Sequence, residues 1–223
     1  MKKILSIDII DIIPYAKGVL FVRKENLDDD NIKVTFFAYD IAENTISPVS
    51  KNIYLLNKLG PAYEPISAQL GDYASCDAGI LPDRSVFVIY PGGEIGLFGK
   101  DGSLLSTGDL IYHDEPASGV AVENNHVWCT VPKLNSIIRF SVESNKVVMR
   151  MGSPTTPTFN EPVCATLVNG KIFVCCRKDC SIKVIDLKNY SISDYLRFDE
   201  PVHKYIVSCG KEFVVLSSGT YMI

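Results

Sequence analysis

Short apolar runs recur along the chain at nearly constant spacing, and nothing else in the sequence restricts its fold as strongly. Val86–Tyr90, Val127–Val131, Ile172–Cys176 and Phe213–Leu216 are rich in β-branched and aromatic residues and begin 41, 45 and 41 residues apart. A fifth run, Val19–Val22, lies near the N-terminus. A period of roughly 43 residues is that of one four-stranded propeller blade. Similar company follows each run: Ile95–Phe98 and Leu104-Leu105, Ile137–Phe140 and Val147–Met149, Ile182–Ile185 and Ile192. Turn signals separate them, at Pro91-Gly92-Gly93, Lys100-Asp101-Gly102, Ser144-Asn145 and Lys188-Asn189.

Within each run the apolar residues are consecutive and do not alternate with polar ones. A strand that is apolar on both faces must be covered on both faces. Blades stacked around an axis provide that cover, whereas a single open sheet leaves one face wet. A β-sandwich predicts no fixed period of this length, and Gly, Pro and β-branched residues interrupt every face a helical solenoid would need. The expected fold is therefore all-β, one domain over 1–223, a five-bladed propeller with units centred on 19–50, 86–108, 127–151, 172–196 and 213–223. The fifth unit stops at Ile223 after about two and a half strands. An unfinished blade exposes an apolar edge, so Lys2–Ile7 is expected to supply its outer strand. A chain cut in mid-repeat is the competing explanation.

Residues Asp114–Val122, Val127-Trp128 and Asn135–Phe140 resemble the NHL-type repeat: a proline, a small-apolar strand, an aromatic strand, then N-x-I-x-x-F. Residues 95–108 resemble the closing hairpin of the same repeat, and 181–192 are similar to the YVTN-type repeat. The likeness covers about 74–216 and is weaker over 1–73. Its motifs are turn and packing residues, so it implies the blade. The superfamily includes protein-binding platforms, lactonases and lyases, and the resemblance leaves the chemistry among them open.

Charge and cysteine usage narrow the setting. With 26 acidic and 22 basic side chains the net charge is −4, which argues against the basic face of a nucleic-acid binder. Asp8 and Asp11 break the apolar run that follows Met1-Lys2-Lys3, so no signal-peptide core forms. No stretch reaches the roughly 18 apolar residues of a membrane helix. Seven cysteines without framework spacing fit a cytoplasmic protein with free thiols.

Three blades are entered through one dipeptide: Glu115-Pro116, Glu161-Pro162 and Glu200-Pro201. Their carboxylates would gather around the central channel and hold a divalent cation through oxygen, or attract a basic partner. The plainer reading is a proline-fixed turn beside a solvated acid. Two positions after each proline stand Ser118, Cys164 and His203, expected to line the channel. Cys164 and His203 would be a thiolate–imidazole pair if they touched; otherwise they are polar filler of a narrow, wet channel. Cys175, Cys176 and Cys180 lack the second ligand pair of a zinc site. Trp128 occupies the place of Phe87 and Phe173 and reads as core between blades. Gly92-Gly93 precedes no helix and so forms no phosphate loop. Asp28–Asp30 reads as a solvated hairpin tip.

An insertion, 51–73, separates blades one and two. Its Tyr54, Leu56 and Tyr63 suit a lid over the channel mouth, a partner contact, or a plug in the widest gap between blades. The leading expectation is a non-catalytic platform for a protein, peptide or small ligand, without a cofactor. The alternative is a metal-assisted, lactonase-like hydrolase or lyase with a divalent cation in the channel.

Overall fold

The computed structural model describes the chain except residues 6–8, 27–31, 71–75 and 156. Asp28–Asp30 and the last part of the insertion thus lie outside the described residues. Five four-stranded antiparallel sheets form the blades of a propeller. From the axis outward, blade one is Ile9–Tyr15, Gly18–Asn26, Ile32–Asp40 and Thr45–Pro48; blade two is Asp77–Ile80, Val86–Ile89, Glu94–Phe98 and Leu104–Asp109. Blade three is Ser118–Glu123, His126–Val131, Ser136–Ser141 and Lys146–Gly152; blade four is Pro162–Val168, Lys171–Cys176, Ser181–Asp186 and Ser191–Arg197. Blade five takes Val202–Ser208, Lys211–Leu216 and Gly219–Met222 from the C-terminal end and its outermost strand, Lys2–Leu5, from the N-terminal end. The expected closure is present over Lys2–Leu5, residues 6 and 7 lying outside the described residues: Lys2 pairs with Met222, Lys3 with Tyr221 and Leu5 with Thr220. Gly219 makes it possible, because at φ +142° a Cβ there would lie 2.1 Å from the Leu5 carbonyl oxygen.

The two-sided apolar strands do what their pattern requires. In blade three Val127, Cys129 and Val131 pack toward blade two, while Trp128 packs toward blade four. Phe87 likewise packs toward blade three and Phe173 toward blade five. Trp128 is fully buried, and its indole Nε1 donates to Glu123 at 2.8 Å, as does Arg139 Nε. Five apolar clusters result, one at each junction between neighbouring blades.

One junction is built differently. The insertion folds into two short helices, α1 (Lys51–Leu59) and α2 (Tyr63–Leu70), joined by a 3-10 turn over Gly60–Ala62. Ser50 caps α1, accepting from Ile53 N at 3.4 Å, and Gly60 ends it. Tyr54, Leu55, Leu59, Ala62 and Ile66 turn to one side and pack with Leu20 and Val22 of blade one and Val86 and Val88 of blade two. The helices are a wedge between two blades, with α1 against the inner strands of both.

Candidate functional site

The five inner strands enclose a cavity of about 800 Å³ on the propeller axis, and Asn57 and Lys58 of α1 border it. Its composition follows from strand register. Asp11 pairs with Val22, Asp77 with Ile89, Ser118 with Thr130, Cys164 with Cys175 and Lys204 with Val215. These are equivalent positions, one per blade, and all five residues line the cavity. Together they form a polar girdle: two carboxylates, a hydroxyl, a thiol and an ammonium. Apolar wall adjoins it, including Ile80, Val122, Leu167 and Ile206.

The girdle is wired at one side. Asp11 is buried, and its carboxylate takes Lys58 Nζ at 2.8 Å, Lys204 Nζ and the Tyr54 hydroxyl. One of its oxygens also accepts from Ile12 N at 2.9 Å. Burial alone would raise the Asp11 pKa, but the Lys204 and Lys58 ammonium groups outweigh it and hold the carboxyl well below the usual range. The converse holds for Lys204: burial disfavours its charge, and Asp11 and Asp77 more than restore it, raising its pKa. A buried charge is tolerated only when paired in this way. The ion group therefore clamps blade one, blade five and the helical wedge together.

The rest of the girdle is less committed. Asp77 Oδ2 accepts from Gly119 N at 3.0 Å and its residue stays half-buried. Ser118 Oγ lies 3.1 Å from Thr130 Oγ1. The Cys175 side chain hydrogen-bonds Cys164 and, with Lys204, outweighs the burial that would raise its thiol, which falls to about 7.

Ser118, Cys164 and His203 all line the cavity, but counting from the proline misplaces the third by one residue. In blade four Pro162 pairs with Cys176, whereas in blade five it is Val202 that pairs with Leu216. Blade five thus enters its inner strand one residue later, and Lys204, not His203, is the counterpart of Cys164. His203 Nε2 lies 3.0 Å from Ser217 Oγ, and burial followed by the nearby Arg177 charge lowers its pKa. Cys164 has Cys175 and Thr166 as its hydrogen-bonding neighbours. The thiolate–imidazole pair is thus not among the contacts of either residue.

The three glutamates are each engaged locally. Glu115 pairs with Lys133 at 2.9 Å, Glu161 with Arg177, and Glu200 accepts from Ser218 N at 2.7 Å. Among the described residues no three His, Cys, Asp or Glu side chains are grouped to hold a metal ion. Of the insertion residues, Tyr54 is buried on Asp11, Tyr63 is half-buried against the wedge core, and Leu56 is exposed. No helix of the described residues is long and apolar enough to cross a membrane, and all seven cysteines are free.

No family model and no curated protein matches the chain. Solved structures do. Sqt1 of Saccharomyces cerevisiae aligns over 97% of this chain and 72% of its own, with 9% identity and a TM-score of 0.56. The WD40 β-propeller domain of Doa1 aligns over 92% and 63%, with 15% identity and a TM-score of 0.55. A streptogramin B lyase structure aligns over 95% and 63%, with 15% identity and a TM-score of 0.53. The fold is a β-propeller. The chain spans under two thirds of the length of the last two proteins, and at these identities the likeness is one of fold. The NHL-type likeness rests on the sequence motifs.

Proposed function

We propose that this propeller is a binding platform whose site is the axial cavity, and that its ligand is a small molecule with a cationic head and an apolar body. The observation that carries this reading is the girdle, one polar residue from each blade at a single level of a cavity of about 800 Å³. That volume falls in the usual range for small-molecule sites, which are mostly apolar with a few convergent polar groups. Within the girdle Asp11 is consumed by Lys58, Lys204 and Tyr54. Asp77 keeps a half-buried carboxylate at the wall and is the group placed to meet a cation. Ile80, Val122 and Leu167 supply apolar surface beside it.

A thermal-shift panel of organic amines, with matched carboxylic acids as controls, tests this. Ligand binding raises the melting temperature, with about 2.7 kcal/mol of stabilisation at a hundredfold excess over Kd. Amines bearing an apolar group are expected to shift the wild type and to lose most of that shift in Asp77→Asn, which keeps the acceptor for Gly119 N. Carboxylates shifting in place of amines, or no shift from either class, would overturn the reading.

A further inference from the structure

The cysteines differ sharply in their surroundings. Cys129 is fully buried between blades two and three, and burial pushes its thiol up. Cys176 packs toward blade three, and burial pushes its thiol up to about 12. Cys164 is placed otherwise. It belongs to the cavity wall, and it stands directly opposite Cys175 on the adjacent antiparallel strand. Both thiols face the same way, into the core between blades four and five. Directly opposed residues of an antiparallel pair have Cα atoms about 4.5–5.5 Å apart, inside the roughly 4.4–6.8 Å span of disulfides. Lys204, the next girdle residue, adds a positive charge that favours a thiolate at Cys164. Cys175 is buried behind it, its own thiol held well above the ordinary range by that burial and by Cys164, so it remains a protonated donor.

A reactive thiol at a cavity wall with a second thiol directly behind it is the arrangement of a peroxidatic and a resolving cysteine. We propose that Cys164 and Cys175 form a dithiol at the channel wall that small hydroperoxides oxidise to a disulfide. The Cys164 sulfur attacks one peroxide oxygen, the O–O bond breaks, and the departing oxygen takes a proton and leaves as an alcohol, or as water from hydrogen peroxide. Cys164 is then a sulfenic acid. The Cys175 sulfur attacks it, the S–S bond forms, the S–O bond breaks, and the hydroxyl leaves as water with the Cys175 proton. Two thiols are oxidised by two electrons and one peroxide is reduced by two. The chemistry needs only access for a small oxidant, and it stands whether or not the cavity also binds an amine.

Treating the reduced full chain with hydrogen peroxide, blocking remaining thiols and mapping peptides without reductant tests it. A Cys164–Cys175 cross-link is expected, with an intact mass lower by two hydrogens. Cys175→Ser should stop at the sulfenic acid, trapped on Cys164 by dimedone. In the untreated native protein Cys164, buried but at the cavity wall, should alkylate at least about tenfold faster than Cys129, which is buried away from the cavity. Should Cys175→Ser fail to fold, the wild-type cross-link and the alkylation ratio decide by themselves. Oxidation confined to Cys180 or Cys209, or equal alkylation of Cys164 and Cys129, would overturn the proposal.

Discussion

The junction between blades three and four and the junction between blades one and two solve one problem with different materials. The first is closed by side chains alone: Trp128, Ile137 and Ala121 of blade three meet Ile172, Val174 and Ile185 of blade four, with Phe159 from the connection between them. The second takes two helices as well, whose buried face is apolar but whose channel edge carries Lys58 into Asp11. Regular repeats thus provide stiffness and a uniform inner wall. The irregular junction adds Lys58 to the buried charges that Asp11 and Lys204 bring from the inner strands.

Truncation at each junction should break it by a different mechanism. Trp128→Ala leaves a large void at the regular junction and is expected to cost about 3–5 kcal/mol in denaturant unfolding. Asp11→Ala should cost a similar amount, about 3–5 kcal/mol, by stranding Lys58 and Lys204 in a site that burial makes hostile to charge. The variant Asp11→Leu/Lys58→Met/Lys204→Met separates the two mechanisms. Removing the whole ion group should destabilise less than Asp11→Ala alone, whereas no equivalent rescue exists for Trp128→Ala. If the triple variant is worse than Asp11→Ala, the wedge is held by its charges in a way the account does not allow.

Closure of blade five offers a smaller effect. Gly219→Ala sets a Cβ against the Leu5 carbonyl at a positive φ and should cost more than about 1 kcal/mol, with Lys2–Leu5 losing hydrogen-exchange protection first. Acid provides a graded test of the irregular junction. The folded pKa of Asp11 lies below its ordinary 3.8, so its contribution is complete above that value and fades as pH falls through the depressed one. Lys204 is raised above its ordinary 10.5, so its contribution is complete below that value and is lost as pH rises through the elevated one. Stability should hold between these limits, and Asp11→Asn should flatten the acid limb. The smallest effect belongs to the rim: Glu161→Gln removes a partly exposed pair with Arg177 and should cost under about 1 kcal/mol.

Blade number and the strand runs were legible because each is a local pattern repeated at a fixed period, and the N-terminal closure followed from the strand the last repeat lacks. The helices α1 and α2 were not. They run nine and eight residues, too short to display a helical period, and Gly60-Pro61 between them reads as a turn. Counting from the prolines reaches the register of the girdle at Ser118 and Cys164 and slips by one residue at Lys204. Asp11 and Asp77 follow no such proline and so had no anchor, although a lone carboxylate inside Ile9–Ile13 is the kind of interruption a buried partner explains. Lys58 lies 47 residues from Asp11 and Lys204 lies 193 from it; the packing of α1 on blade one brings in the first, and closure of the ring the second.

The proposed function stands or falls with binding in the cavity on the axis. The most direct test is an amide chemical-shift map of the labelled protein against the organic amines that raise its melting temperature. Perturbations should concentrate on the inner strands Ile9–Tyr15, Asp77–Ile80, Ser118–Glu123, Pro162–Val168 and Val202–Ser208 and on α1, and should vanish in Asp77→Asn. Perturbations confined to the outer strands or the rim loops, with the inner strands silent, would contradict it.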